Sequence, residues 1–163
     1  MSIEAVKKHL ARWRRDGDII ELPQSTATVA AAALALGVEE GRIAKSISLK
    51  RGGGAIVLVT SGDTKVDNRK FKEYFGVKAS MLKPEEALRL TGHAVGGVCP
   101  FGLPDGVDVF LDVSLQRFST VFPACGSGNS MIELTMAELT EYSNNPSWVD
   151  VCTAGQPAPN IRQ

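Results

Sequence analysis

The segment IAKSISL, Ile43 to Leu49, reads as a β-strand with one interruption. Alternation puts Ile43, Lys45, Ile47 and Leu49 on one face and Ala44, Ser46, Ser48 and Lys50 on the other, so a lysine breaks the apolar face. Burying an ammonium without a partner costs several kcal/mol. Such a lysine needs a carboxylate, a pocket open to water or an anionic ligand; otherwise its stem lies along the sheet and its head reaches solvent at an edge. The second candidate is GHAVGGVCPFGLPDG, Gly92 to Gly106, which packs five glycines and two prolines into fifteen positions. Glycines let a main chain approach a ligand closely, and prolines stiffen the loop that presents its amides and carbonyls. Val95, Val98 and Phe101 distinguish the stretch from a linker, which leaves a recognition loop or a connector between sheet elements.

Other residues carry weaker chemical signals. His93 and Cys99 suggest a thiol nucleophile with an imidazole base, set against the reading of Cys99 as a small buried hydrophobe. Ser127, in Gly126-Ser127-Gly128, lacks the glycines two positions away on each side that a nucleophile elbow needs, and fits a turn. Lys50, Arg51, Lys65, Arg69, Lys70, Lys72 and Lys78 could grip phosphates, or could form a solvated face with Asp67 and Glu73 interleaved.

The elements that must position these residues follow from the pattern. Ile3, Val6, Leu10 and Trp13 recur at helical spacing behind Ser2, which predicts a helix over 3–15 with a basic outer face. A short strand over 18–22 leads to Thr26 or Thr28 as the cap of VAAAALALG, whose Gly37 suits a helix end. Two β-like runs joined by a glycine-rich turn predict a hairpin between Ile43 and Thr60. Two short helices follow, one capped by Asp67 and one opened by Pro84. After the glycine-rich loop, VDVFLDVSL, STVFPA and SMIEL read as strands, with GSGN as a turn between the last two. Thr135 with Glu138 forms a capping box for a final helix. Strands outnumber helices and do not alternate with them as βαβ units. The expected fold is therefore mixed α/β (α+β), a curved mixed or antiparallel sheet or partial barrel surrounded by helices, and not a Rossmann domain.

Bulk properties narrow the class further. The 163 residues, 44% hydrophobic and 22% charged, suit one domain with a full core, here residues 1–152, and a loose polar tail over 153–163. Eighteen basic against eighteen acidic residues leave no overall field for polyanions, so any polyanion site must be local. Three cysteines with no CxxC pair read as reduced thiols with no structural zinc. No apolar run approaches the roughly 20 residues needed to span a bilayer. MSIEAVKKHLARWRRDG also lacks the apolar core of a signal peptide, so a cytoplasmic protein without a membrane partner is expected.

VGGVCPFGLP, preceded by KPEEALRLTG and followed by VDVFLDVSL, resembles the YbaK and prolyl-tRNA synthetase insertion-domain family of aminoacyl-tRNA deacylases. The likeness extends through QSTATVAAAALALGVEEGRIAKSISL, SGDTKVDNRKFKEYFG and ACGSGNSMIELTMAEL, from about Ser25 to Leu139. It implies an editing domain, free-standing or beside a synthetase, that hydrolyses the ester joining a wrong amino acid to the acceptor end of its tRNA, without a cofactor or metal. Lys45 and Gly97 are the implied catalytic residues, with Lys45 close to the terminal adenosine phosphate and the main chain at Gly96 and Gly97 positioning the ester or the water. Ser25, Thr26, Ser46, Gly96, Val98, Cys99, Pro100, Gly126 and Ser127 are the implied substrate-binding set. From Ala124 to Ile132 this chain has no carboxylate or imidazole, where some members carry a serine and an aspartate or a histidine. An activated ester can be cleaved by a positioned water, main-chain donors and an assisting ribose hydroxyl, so no triad is required. The rival function is a non-catalytic aminoacyl-tRNA or nucleotide-binding module.

Overall fold

The structure, a computed structural model, describes residues 2–143 and 146–153. It is a mixed α/β fold in which a six-stranded sheet curls into a half-barrel with helices around it. The strands are β1 (Ile20–Glu21), β2 (Ile43–Arg51), β3 (Gly54–Ser61), β4 (Asp108–Asp112), β5 (Thr120–Pro123), β6 (Ser130–Met131), β7 (Leu134–Thr135) and β8 (Ser147–Val149). The helices are α1 (Ser2–Leu10), α2 (Val29–Leu36), α3 (Asn68–Phe75), α4 (Pro84–Thr91) and α5 (Met136–Tyr142). Strand order in the main sheet is β7-β5-β2-β3-β4-β8, and β1 pairs with β6 in a separate two-stranded ladder.

Local chemistry accounts for most boundaries. The Thr28 side chain accepts from Ala31 N–H to start α2, and Gly37 ends it in a left-handed conformation. Asp67 accepts from two N–H groups of α3, Pro84 occupies the first turn of α4, and Thr135 and Glu138 cap α5 reciprocally. α1 is shorter than its apolar pattern suggests, because the chain tightens into a 3-10 turn over Ala11–Trp13 and turns at Arg14, a non-glycine residue with φ of 60°.

β3 reads GAIVLVTS because both of its faces are covered. Val57 and Val59 face a core built with Val109, Leu111, Val121, Leu134 and Leu139 and closed by Val6 and Leu10 of α1. Ile56 and Leu58 face Phe71 of α3 together with Leu49, Phe110 and Val149. Each such side chain, fully buried, stabilises the fold by about 1.5–3 kcal/mol. Helix α2 packs Ala32 and Ala33 on Ile43, Phe122 and Met131.

Three readings are corrected. β3 and β4 are parallel neighbours joined through α3 and α4, so one stretch does alternate strand and helix. The strand in VDVFLDVSL stops at Asp112, whose side chain accepts from Ser114 N–H and starts a 3-10 turn over Val113–Arg117. SMIEL is split into β6 and β7, which pair with different partners. Of the tail expected over 153–163, only Thr153 is among the described residues; its N–H donates to Lys65 O at 2.8 Å.

Candidate functional site

β2 is covered on one edge by β3 from Ala44 to Arg51. On the other edge β5 pairs only at Ile43 and Ala44. The segment 80–82 takes over further along, where Leu82 N–H donates to Ser48 O at 3.1 Å and Lys50 N–H donates to Ser80 O at 2.8 Å. A cavity of about 230 Å³ opens at the gap between them. Its walls are the consecutive residues Ile43 to Ser48, the start of α2 with Thr26 to Val29 and Ala32, Met81 and Leu82, the loop residues Val95, Gly96 and Val98, and Phe122, Ala124 and Met131 behind.

Five of the residues singled out in the sequence therefore share one cavity: Thr26, Lys45, Ser46, Gly96 and Val98. Lys45 lies across from Thr60 on the face of β2 that carries Ile47 and Leu49. Its Nζ donates to the carbonyl of Thr64 at 3.1 Å, and no carboxylate pairs with it among the described residues. The amine thus sits beside the cavity with a neutral carbonyl as its partner. Ser46 Oγ is buried and has no hydrogen-bond partner among the described residues.

The loop is shaped by what it rests on. Gly96 has φ of 97°, a conformation other residues rarely adopt, and a Cβ there would stand 3.1 Å from the Cβ of Ala27. Gly97 has no room for a side chain at all: a Cβ would lie 2.6 Å from the carbonyl carbon of Gly126 and 2.7 Å from Ser127 N. Gly126 and Ser127 lie behind this contact rather than in the cavity lining, and face an open groove lined also by Ser2, Ile3 and Gly102. Ser127 Oγ donates to Asn129 Oδ1 at 2.9 Å, and Asn129 Nδ2 donates to Leu22 O at 2.8 Å. Thr26 N–H donates to Gly128 O at 2.6 Å. The turn 126–130 is thereby stitched to the entry of α2. Ser25 is exposed outside the lining, with its Oγ accepting from Ala27 N–H at 3.3 Å.

Cys99 and His93 meet, with Sγ and Nε2 3.5 Å apart, yet the pair is not built for nucleophilic attack. Both are completely buried away from the cavity. Burial pushes the Cys99 thiol up to about 12 and lowers the His93 imidazole below its ordinary 6.5. His93 instead ties the loop together: Nε2 donates to Phe101 O at 2.7 Å and Nδ1 accepts from the Ser2 hydroxyl. His9 does likewise from α1, donating from Nε2 to Tyr142 O at 2.6 Å and accepting at Nδ1 from Gly102 N–H at 3.0 Å. Its imidazole is also lowered, chiefly by burial. Cys125 and Cys152 are buried thiols too.

Pro100 borders a different cleft of about 520 Å³, where Arg51 and Asp108 satisfy each other at 2.8 Å. Of the cations with phosphate-binding potential, Arg51 and Lys70 are paired with Asp108 and Asp150, while Lys50, Lys65, Arg69, Lys72 and Lys78 are exposed. Met81, Leu82, Phe122 and Ala124 were not legible as site residues. Only the meeting of distant segments at the β2 edge brings them together, and no local pattern encodes it. Among the described residues no helix is long and apolar enough to cross a membrane, and no cluster of three or more His, Cys, Asp or Glu could hold a metal ion.

Comparison with known proteins gives a consistent picture. The family model of the aminoacyl-tRNA editing domain matches residues 23–142. The uncharacterized protein YwhH of Bacillus subtilis (strain 168) is 53% identical over 153 residues, which cover 93% of this chain and 98% of that protein. A proline–tRNA ligase of Bacillus licheniformis is 24% identical over 139 residues, 83% of this chain but 24% of the ligase. A crystal structure described as that of a candidate trans-editing enzyme for prolyl tRNA synthetase superposes with a TM-score of 0.84 at 31% identity, covering 93% of this chain and 97% of the other.

Proposed function

The chain belongs to the family of aminoacyl-tRNA editing domains, and on that premise we propose that it is a trans-acting deacylase, hydrolysing the ester of a mischarged tRNA in the cavity at the β2 edge. The observation that carries this reading is the convergence of Lys45, Ser46, Thr26 and Gly96 on one pocket at an interrupted sheet edge. Lys45, once released from Thr64 O, supplies a positive charge for the phosphate of the terminal adenosine. The rest of the lining is apolar or hydroxylic, so a charged amino-acid side chain would be left unpaired there. The favoured substrate is a small uncharged aminoacyl group. A synthetase pocket discriminates one methylene by only about 1–3 kcal/mol, which is the physical reason such a second sieve is useful.

Among the described residues no carboxylate or imidazole lines the cavity, so the reading assigns the general base to no side chain of this pocket. The water that attacks the ester is positioned by main-chain groups and assisted by a ribose hydroxyl of the substrate, with the Gly96–Gly97 main chain forming the wall opposite β2. Gly97, packed on Gly126, fixes where that wall stands. The relation of two similar proteins to prolyl-tRNA makes mischarged prolyl-tRNA acceptors the first substrates to try, and a synthetase a candidate docking partner.

The test is release of amino acid from a panel of mischarged tRNAs by the wild-type protein and by Lys45→Ala. Hydrolysis of a subset with small side chains, with KM raised roughly 10- to 100-fold in the variant for the loss of one charged contact, is the expected result. Binding without release of amino acid would favour the non-catalytic module, and full activity in Lys45→Ala would remove the assigned role of the lysine.

A further inference from the structure

The cavity is lined by six consecutive residues of β2, Ile43 to Ser48, where a strand presenting one face would contribute every second residue. What borders the cavity is therefore the edge of the strand, its main chain included. Register shows which main-chain groups face outward. In an antiparallel pair, alternate residues exchange both hydrogen bonds with the partner strand, and those between them point both groups away. Ser48 O and Lys50 N–H are engaged by the 80–82 segment, on the side away from β3. Ser46, two residues before Ser48, points its N–H and C=O the same way. Pairing with β5 ends at Ala44 and pairing with 80–82 begins at Ser48, so no strand covers Ser46 on that side among the described residues. Its hydroxyl, buried without a partner, belongs to the same gap.

Resting on the deacylase reading, we propose that the main chain of Ser46 is the ester-reading group of the site, accepting the aminoacyl moiety as a one-residue continuation of the sheet. An aminoacyl ester carries an ammonium donor and a carbonyl acceptor flanking one carbon, the same donor and acceptor order as a residue in a strand. Ser46 C=O accepts from the α-ammonium, and Ser46 N–H donates to the ester carbonyl oxygen. When water attacks the carbonyl carbon, that oxygen gains negative charge and the N–H bond to it strengthens. The carbon–oxygen bond to the ribose then breaks, the proton lost by the water passes to the ribose oxygen, and free amino acid and tRNA leave. The gap is one residue long, so it admits one amino acid and excludes a peptide. Lys45, pointing to one face from the neighbouring position, sets the phosphate on the side from which the ester must enter.

The experiment replaces Ser46 by its α-hydroxy counterpart, turning the 45–46 amide into an ester and deleting only the N–H, with serine installed by the same route as the reference. Ser46→Pro, which also lacks the N–H and is tolerated best at an edge position, is the second variant. Two quantities are read: kcat on a mischarged tRNA, and affinity for an unhydrolysable 3′-aminoacylamino-adenosine. The expected result is a loss of 10²- to 10³-fold in kcat, as for removal of one oxyanion donor, with about tenfold weaker analogue binding and an unchanged thermal midpoint for the α-hydroxy protein. Rates and affinities within threefold of the reference would overturn the assignment. If the wild-type protein binds the analogue but releases no amino acid from any charged tRNA, the deacylase reading falls, and analogue affinity alone decides the edge contact.

Discussion

Gly97→Ala tests how rigidly the glycine wall is held. The new methyl group would stand 2.6 Å from the carbonyl carbon of Gly126 and 2.7 Å from both Gly126 O and Ser127 N. Carbon contacts are ordinarily about 3.5–4.0 Å, so a methyl 2.6 Å from the Gly126 carbonyl carbon overlaps it by about 0.9 Å or more, with two further main-chain atoms crowded at the same time. The turn cannot recoil. Its own Gly126 sits at φ of 95° with the Ser2 carbonyl 2.7 Å from where a Cβ would be, and Cys125 N–H is bonded to Ser130 O at 3.1 Å. Relief must come from the 94–98 loop moving away from the turn. Overpacking of this kind costs about 1–3 kcal/mol, with rigid neighbours at the upper end. At about 2–4 °C per kcal/mol for a chain of this size, the thermal midpoint should fall by roughly 6–12 °C. Deacylation should fall at least tenfold, because a 1 Å displacement of a positioning wall is expensive. Gly128→Ala is the control: its Cβ would make an ordinary 3.6 Å contact with Ala27, and its φ is not positive. Calorimetry and single-turnover hydrolysis on both variants decide the matter. A Gly97→Ala protein melting within 2 °C of wild type with undiminished hydrolysis would refute the packing argument.

His9 and His93 are held neutral by burial, with folded pKa values below 6.5, so the unfolded chain takes up protons there that the folded one refuses. Stability from these groups is complete above pH 6.5 and is lost below it, by up to about 1.4 kcal/mol per pH unit per imidazole until the folded values are reached. Urea midpoints between pH 8 and pH 5 should show the decline, and His93→Gln should make it shallower; equal slopes would clear His93. The thiols of Cys99 and Cys152, pushed up to about 12, should react with an alkylating agent only as fast as the protein opens, and rapid native-state labelling of Cys99 with loss of activity would restore the nucleophile hypothesis. Affinity for tRNA should fall as salt rises, and Lys45→Ala should make that salt slope shallower by about one charge, which titrations at several ionic strengths would measure.

Elements whose ends are written in local chemistry were legible: Thr28 and Gly37 around α2, Asp67 before α3, Pro84 in α4, and Thr135 with Glu138 at α5. β8 was not, because Ser147–Val149 is three residues long and becomes a strand only through parallel pairing with β4. Lys45 was conspicuous as a charge on an apolar face, but the carbonyl that holds it comes from Thr64, beyond the hairpin, and no spacing rule points there. The glycine loop announced itself by composition. That Gly97 must be glycine for lack of space, while Gly96 must be glycine for its dihedral angle, depends on neighbours about 30 and 70 residues away. Cys99 and His93 do touch, and burial rather than distance removes them from the chemistry.

The first helix lies outside the 23–142 stretch common to the family, yet it props the glycine loop from behind: Ser2 holds His93 and fills the space beside Gly126, and His9 holds Gly102. A transplant cut to the shared segment would keep every residue of the pocket and lose its footing. In this chain the smallest portable unit is therefore set by the scaffolding behind the wall, and a host protein receiving the segment would have to bring a brace of its own.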